Sequence, residues 1–344
     1  MLINSNFMKK IFIGNASHIP KMVCSGHENP ESQINIRLNV ETPMDFTLKT
    51  IGGMDVTRNN LMVELRPQII GIMFRSELVS LLESFPKSLF LSLHDPGHIK
   101  EPDYCIGKIG LQYHDQVRLG EYSFVLFKTS YCKNYCLSPL RLLGHYLHER
   151  IFLFFDNDAH NEHKMKAHYL FNNWLLYCLP RAVALTSFDD GKYTNMFPLD
   201  LIGQTDSPYF ILSITSRYPS LPYILKNKRL AVSYISLDDT DNAYAMGKNN
   251  KRICVKPDEM IVKTKLSPVF SIPVPTSALS VRELDIVDSY LVDYHTVIIA
   301  KTRNFTLNSK GLYFCHVQRI FQQYLMNQNR ALPYVIRRYK RSVN

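Results

Sequence analysis

The chain has 344 residues, 40 Lys and Arg against 30 Asp and Glu, a formal net charge of +10, and 46% hydrophobic side chains. That length and apolar content suit about two domains of ~100–200 residues and exclude wholesale disorder. The charge is local: residues 301–344 carry nine basic side chains and no acidic one, leaving 31 basic and 30 acidic over residues 1–300. A near-neutral body with a basic C-terminal end argues against a nucleic-acid-binding protein, although tyrosines interleave with arginines from Arg330 to Arg341. Seven scattered cysteines form no disulfide framework, so a reducing, cytoplasmic setting is expected. No apolar run reaches the ~18–20 residues of a membrane span.

In chain order, Ile34–Val40 alternates apolar and polar residues and predicts a strand; Arg75–Phe85 predicts a short helix. Further strands are expected at Leu89–Leu93 and Tyr122–Phe127. From Ser138, an N-cap residue followed by Pro139, apolar Leu140, Leu143, Leu147 and Ile151 recur at helical spacing. Asp156–Asn157–Asp158 breaks that helix, and a second is expected over Glu162–Cys178, ending before Pro180. The polar stretch Asp156–His163 is the expected domain boundary. Beyond Pro180 the rhythm becomes β: strands at Ala182–Thr186, Tyr193–Phe197, Tyr209–Ile214 and Leu230–Ile235, a helix at Leu221–Asn227, a polar loop at Asp238–Arg252 and one long strand at Leu291–Lys301. Gly311–Met326 has helical periodicity. Many strands with few long crossovers indicate an antiparallel barrel. No internal repeat is legible.

The series Leu179–Ser187, a turn at Asp190-Gly191, Asn195–Leu199, Tyr209–Ile214, Arg217–Ile224, Leu230–Tyr234, Ile272–Glu283 and Asp293–Ala300 resembles, in order, the flavin reductase-like, FMN-binding split-barrel family. The resemblance spans about residues 175–315. It implies an α+β protein in which an N-terminal mixed α/β region (1–158) precedes a C-terminal antiparallel split β-barrel (159–315), closed by a helix and basic tail (316–344). It also implies FMN as cofactor, NAD(P)H as electron donor, an oxidoreductase activity and a homodimer. Carried onto this sequence, the loop Thr194, Asn195, Met196, Phe197, Leu199 and Asp200 would contact the flavin ring and ribityl chain, largely through backbone groups. Ser216, Arg217 and Ser220 would hold the phosphate, since hydroxyls and a guanidinium suit a dianion. His295 would lie close to the flavin at a domain or dimer interface. Asp200 departs from the family, which commonly places a serine or threonine there; it must turn away from the phosphate or pair with Arg217.

No catalytic side chain is assigned, because hydride passes directly between nicotinamide and flavin. The alternative is a non-catalytic barrel that uses the fold for binding or assembly. His145, His148, His160, His163 and His168 cluster downstream of Cys132 and Cys136, but the spacing fits no standard zinc module and no metal is assigned. Walker, dinucleotide-binding and GxSxG motifs are absent from the sequence.

Overall fold

The computed structural model describes residues 22–26, 34–40, 53–79, 89–101, 103–155, 166–330 and 336–338, with backbone alone for 22–26, 151–155, 257 and 336–338. The boundary at Asp156–His163, most of the helix expected over Arg75–Phe85, and His160 and His163 lie outside the described residues.

Two seven-stranded antiparallel sheets dominate. The first uses β2 (Asn35–Val40), β3 (Met54–Asp55), β4 (Asn60–Leu65), β5 (Gln68–Arg75), β6 (Leu89–Asp95), β7 (Tyr104–Leu119) and β8 (Tyr122–Asn134), in the order β3-β2-β6-β7-β8-β5-β4. The second uses β10 (Ala184–Asp189), β11 (Thr194–Leu199), β12 (Ile202–Gln204), β13 (Tyr209–Thr215), β14 (Arg229–Tyr234), β17 (Ser280–Val292) and β18 (His295–Leu307), in the order β11-β10-β14-β17-β18-β13-β12. Numbered within its own half, each sheet runs second, first, fifth, sixth, seventh, fourth, third strand. The sequence shows no repeat, but the topology is repeated.

Each sheet curls round its own core. In a flat sheet the edge strands β11 and β12 would stand about 29 Å apart at ~4.8 Å per strand. Instead Phe197 and Leu199 of β11 share one apolar cluster with Ile202 of β12, together with Phe210, Leu212, Val232, Leu284 and Ile298. The first sheet does the same: Met54 of β3 packs on the cluster that holds Met62 of β4, Ile70, Ile72, Leu91, Ile109 and Phe127. Edges therefore approach without forming a closed hydrogen-bonded ring, which limits the exposed strand edge.

Period-two alternation leaves the other face of each sheet apolar too. Along β13, Phe210, Leu212 and Ile214 point inward, whereas Tyr209 and Ile211 point outward. Along β8, Val125 and Phe127 are inward, Phe124 and Leu126 outward. The outward sets meet: Leu61, Val63, Ile69, Met73, Val117, Leu119, Phe124 and Leu126 of the first barrel pack on Tyr209, Ile211, Val292, Val297 and Ile299 of the second. Strands buried on both faces read as continuous apolar runs such as Phe124–Phe127, and both runs here are of that kind.

Two helices join the barrels, α1 (Pro139–Phe155) and α2 (Ala167–Leu176). α2 buries Leu170, Trp174, Leu175 and Leu176 in the first core, and Leu175 occupies the space that a side chain at Gly107 would need. α1 is the helix that the spacing predicts, but Leu140 (82% exposed), Leu143 and Leu147 face outward.

The second barrel inserts two further pieces between β14 and β17. The expected loop at Asp238–Arg252 is instead a run of helical turns that includes α4 (Thr240–Ala245). Its Leu237, Ala243 and Met246 form a satellite core with Met196 and Phe314. A small hairpin follows, β15 (Thr264–Leu266) and β16 (Pro273–Pro275). The helix expected at Leu221–Asn227 is α3. The single strand expected at Leu291–Lys301 is the β17–β18 hairpin, turning at Asp293 and Tyr294 with Asp293 at φ 49°.

Beyond the second sheet the chain packs first on the second barrel and then returns to the first. Gly311–Met326 is strand then helix, β19 (Tyr313–His316) and α5 (Arg319–Asn327). Ile320, Phe321, Tyr324 and Leu325 of α5 enter the first core, Tyr324 OH donates to buried Asp95 at 2.8 Å, and Arg330 pairs with the same carboxylate. Strands β1 (Met22–Gly26), β9 (Arg181–Ala182) and β20 (Ile336–Arg338) join β19 in a four-stranded sheet ordered β20-β1-β19-β9. No helix of the described residues is long and apolar enough to cross a membrane.

A buried carboxylate fixes the insertion to the barrel. Glu283 of β17 is fully buried and accepts from Ser267 Oγ (2.6 Å), Phe270 N (2.6 Å), Val269 N (3.1 Å) and Asn304 Nδ2 (2.9 Å). Glu283→Ala strands these donors and is expected to destabilise the protein by about 2–4 kcal/mol in denaturant melts, with Glu283→Gln losing less because one acceptor oxygen remains.

Candidate functional site

The second barrel gathers polar groups where β13 ends beside the β17–β18 turn. Ser216 N donates to Tyr294 O at 2.8 Å, which pins the residue after β13 to the turn. Ser216 Oγ and Thr296 Oγ1 lie 3.0 Å apart. The Arg217 guanidinium stands 5.6 Å over the Tyr294 ring, a cation–π arrangement that holds the cation at this corner. Tyr218 meets Phe197 of β11 edge to face at 5.7 Å, linking the corner to the neighbouring loop. Ser220 precedes α3; its Oγ is buried and has no hydrogen-bond partner among the described residues.

His295 opens β18. Its Nε2 lies 3.1 Å from Thr215 Oγ1 and its Nδ1 2.9 Å from Glu64 Oε2. Glu64 comes from β4 of the first barrel, so this contact crosses between the barrels. It is 1% exposed and accepts from Tyr294 N (2.8 Å), Leu65 N (2.6 Å) and Arg66 N (3.0 Å) as well. Burial pushes the Glu64 carboxyl up, but the His295 hydrogen bond and charge, with the amides of Arg66 and Tyr294, outweigh it and hold the group below its ordinary range. A carboxylate facing Nδ1 makes that nitrogen the donor and fixes the ring's orientation.

The structure distributes the predicted residues unevenly. It brings Ser216, Arg217 and His295 to one corner, with Phe197 reaching it through Tyr218. Met196, Phe197 and Leu199 have buried side chains, so only their backbone could face a ligand. Thr194 O accepts from Val255 N at 2.7 Å. Asn195 is turned to the satellite core: Nδ2 donates to Asn249 O (3.1 Å) and Arg252 O (2.8 Å). Asp200 meets residues outside that corner. Its Oδ2 takes His316 Nδ1 at 2.9 Å and Tyr177 OH at 3.4 Å, and Tyr244 OH lies 3.0 Å from the far nitrogen of His316.

Glu64 escapes sequence reading because its partner lies 231 residues away. The available signal is a lone acidic residue inside the apolar run Leu61-Met62-Val63-Glu64-Leu65, which requires a buried partner if the run is buried. Among the described residues no three His, Cys, Asp or Glu side chains are grouped to hold a metal. Two open clefts, about 600 and 790 Å3, lie against α1 and α5, lined by groups that include Arg141, His145 and Gln323 and, in the second, Tyr104 and Tyr135; no predicted site residue lines either.

Because Glu64 has a lowered folded-state pKa, its contribution is present above the ordinary carboxylate range and is lost as pH falls through the folded value. Thermal melts of the wild type are expected to weaken steeply below about pH 4.5, and Glu64→Gln is expected to lower stability at pH 7 by about 2–4 kcal/mol while flattening that acid limb.

No family model and no curated protein matches the sequence. Solved structures similar to the chain include an FMN-binding protein from Thermus thermophilus with bound p-hydroxybenzaldehyde, at 16% identity and TM-score 0.35, covering 40% of this chain and 87% of that one. Another is the Streptomyces globisporus NADH:FAD oxidoreductase, at 15% identity and TM-score 0.37, covering 42% and 87%. A third is a flavin reductase described as putative from Haemophilus somnus, at 16% identity and TM-score 0.39, covering 45% of this chain and 97% of that one.

Proposed function

We propose that the chain is a flavin-binding oxidoreductase, with FMN held on the second barrel and NAD(P)H as electron donor. One observation carries the reading: a cation and hydroxyls gather at the end of β13, where the buried carboxylate that reaches the corner, Glu64, is already held by its own donors. Arg217 and Ser216 offer what a phosphate dianion needs, a guanidinium fork and a short donor. Asp200 is turned to His316, and Glu64 is surrounded by donors, so neither opposes an anion there as a bare charge.

The residues divide the work. Arg217 and Ser216 bind the phosphate end. The backbone of Phe197–Asp200 borders the ring, because the side chains of Phe197 and Leu199 are committed to the core. His295, held by Glu64 and Thr215, presents a fixed edge at the junction of the barrels. When bound, a flavin supplies hydride acceptance from a nicotinamide and onward electron transfer.

Titration of FMN is expected to quench its fluorescence and shift its visible bands. Arg217→Ala is expected to weaken binding roughly ten- to hundredfold, the loss of one charge-assisted contact of about 1.5–3 kcal/mol. No quenching by the wild-type chain would end the flavin reading and leave the non-catalytic alternative. If flavin binds, anaerobic bleaching by NADH or NADPH reports the enzyme.

A further inference from the structure

The likeness of the two barrels extends beyond strand order to register. Leu111 pairs with Thr129 as Leu284 pairs with Thr302. Both long hairpins then slip by one residue at the same place, between Tyr113 and Asp115 and between Ile286 and Asp288. They close at Leu119 with Tyr122 and at Val292 with His295, with positive φ at Gly120 and at Asp293. The residue after the fourth strand is pinned alike: Ser76 N donates to Glu121 O and Ser216 N to Tyr294 O, each at 2.8 Å. The hydroxyl pairs Ser76–Ser123 and Ser216–Thr296 both span 3.0 Å. Along the hairpins Leu111, Asp115, Lys128 and Thr129 coincide with Leu284, Asp288, Lys301 and Thr302. Bulges and turn conformations at matching sites are designed features, and their agreement marks two copies of one unit.

The copies use the same face toward each other. Ile69, Leu119, Phe124 and Leu126 of the first barrel hold the register positions of Tyr209, Val292, Val297 and Ile299 of the second, and all eight lie in the shared core. Leu61 and Gly203 also hold equivalent positions, paired with Gly71 and Ile211, and a side chain at Gly203 would touch Leu61 Cδ1 at 3.6 Å. A residue that meets its own equivalent is the mark of an isologous, twofold-type contact.

The corners have diverged. Where the second barrel places Arg217 over Tyr294, the first has Glu77 and Glu121, both exposed. A homodimer must repeat its site; two copies in one chain need not, and the position that holds Arg217 in the second barrel holds Glu77 in the first, beside Arg75 at the end of β5.

We propose that the chain is a closed pair of barrels in which the N-terminal copy takes the place of a second subunit, leaving one ligand corner per chain. The homodimer implied by the resemblance is thereby replaced by a contact within the monomer. The single corner rests on the flavin reading; the closed pair does not.

Light scattering across a hundredfold concentration range, combined with FMN titration, tests both. The expected result is a constant mass of 39.9 kDa and one FMN per chain. A stable species of twice that mass would overturn the closed pair, and two FMN per chain would overturn the single corner. Constant monomer mass without FMN binding would support the closed pair and defeat the flavin reading alone. Phe124→Asp or Ile299→Asp, each placing a charge in the shared core, is expected to open the pair and give concentration-dependent association. Unchanged mass and melting temperature in both variants would count against the contact, and the wild-type mass decides if either fails to fold.

Discussion

The apolar contact between the outward faces of the two sheets is the constraint on which the rest depends. A strand in an antiparallel sheet with one wet face carries polar side chains at every second position. Over 69–74, 124–127, 209–212 and 297–300, strands β5, β8, β13 and β18 do not, because each is covered there on the inside by its own barrel and on the outside by the other. Removing either barrel would bare a continuous apolar surface on its neighbour. The halves are therefore energetically one body, although each has its own core.

Polar interactions at the rim of that contact give it a fixed register. Ser213 Oγ donates to Val63 O, Tyr209 OH to Leu119 O at 3.1 Å, and Asp206 and Asn59 exchange two hydrogen bonds. Glu64 is the costliest of these groups to bury and the most specific. Its oxygens face donors from its own strand's exit and from the β17–β18 turn, so its desolvation is offset only when the barrels are correctly docked. The same carboxylate orients His295, and thereby couples the docking of the halves to the corner proposed to hold the ligand.

That corner shows how a repeated fold acquires a single site. The backbone arrangement, a serine pinned to a two-residue turn, is common to both barrels. What differs is side-chain charge, Arg217 with Tyr294 against Glu77 with Glu121. Fold and function are separable in principle: the scaffold occurs twice, and the corner proposed to hold the ligand once.

Much of the second barrel was legible in the sequence. Alternation and punctuation located Tyr209–Ile214, Leu221–Asn227 and Leu230–Ile235 closely, whereas Ser216 and Arg217 were singled out only through the family resemblance. The turn at Asp293-Tyr294 was missed because a non-glycine residue at positive φ leaves no glycine signal. The strand Tyr104–Leu119 was missed because its outer part carries polar residues and a bulge at His114 that breaks alternation. The partner of Asp200 could not be read from the sequence, because His316 lies 116 residues away. What the sequence by itself determined is local: which segments are extended and which are helical. What only the tertiary structure decided is the pairing of the halves, the role of Glu64 and the repeat itself. Backbone hydrogen bonds and outward apolar faces carry that information, and many side chains satisfy them equally well, so the two copies share a register with little shared sequence.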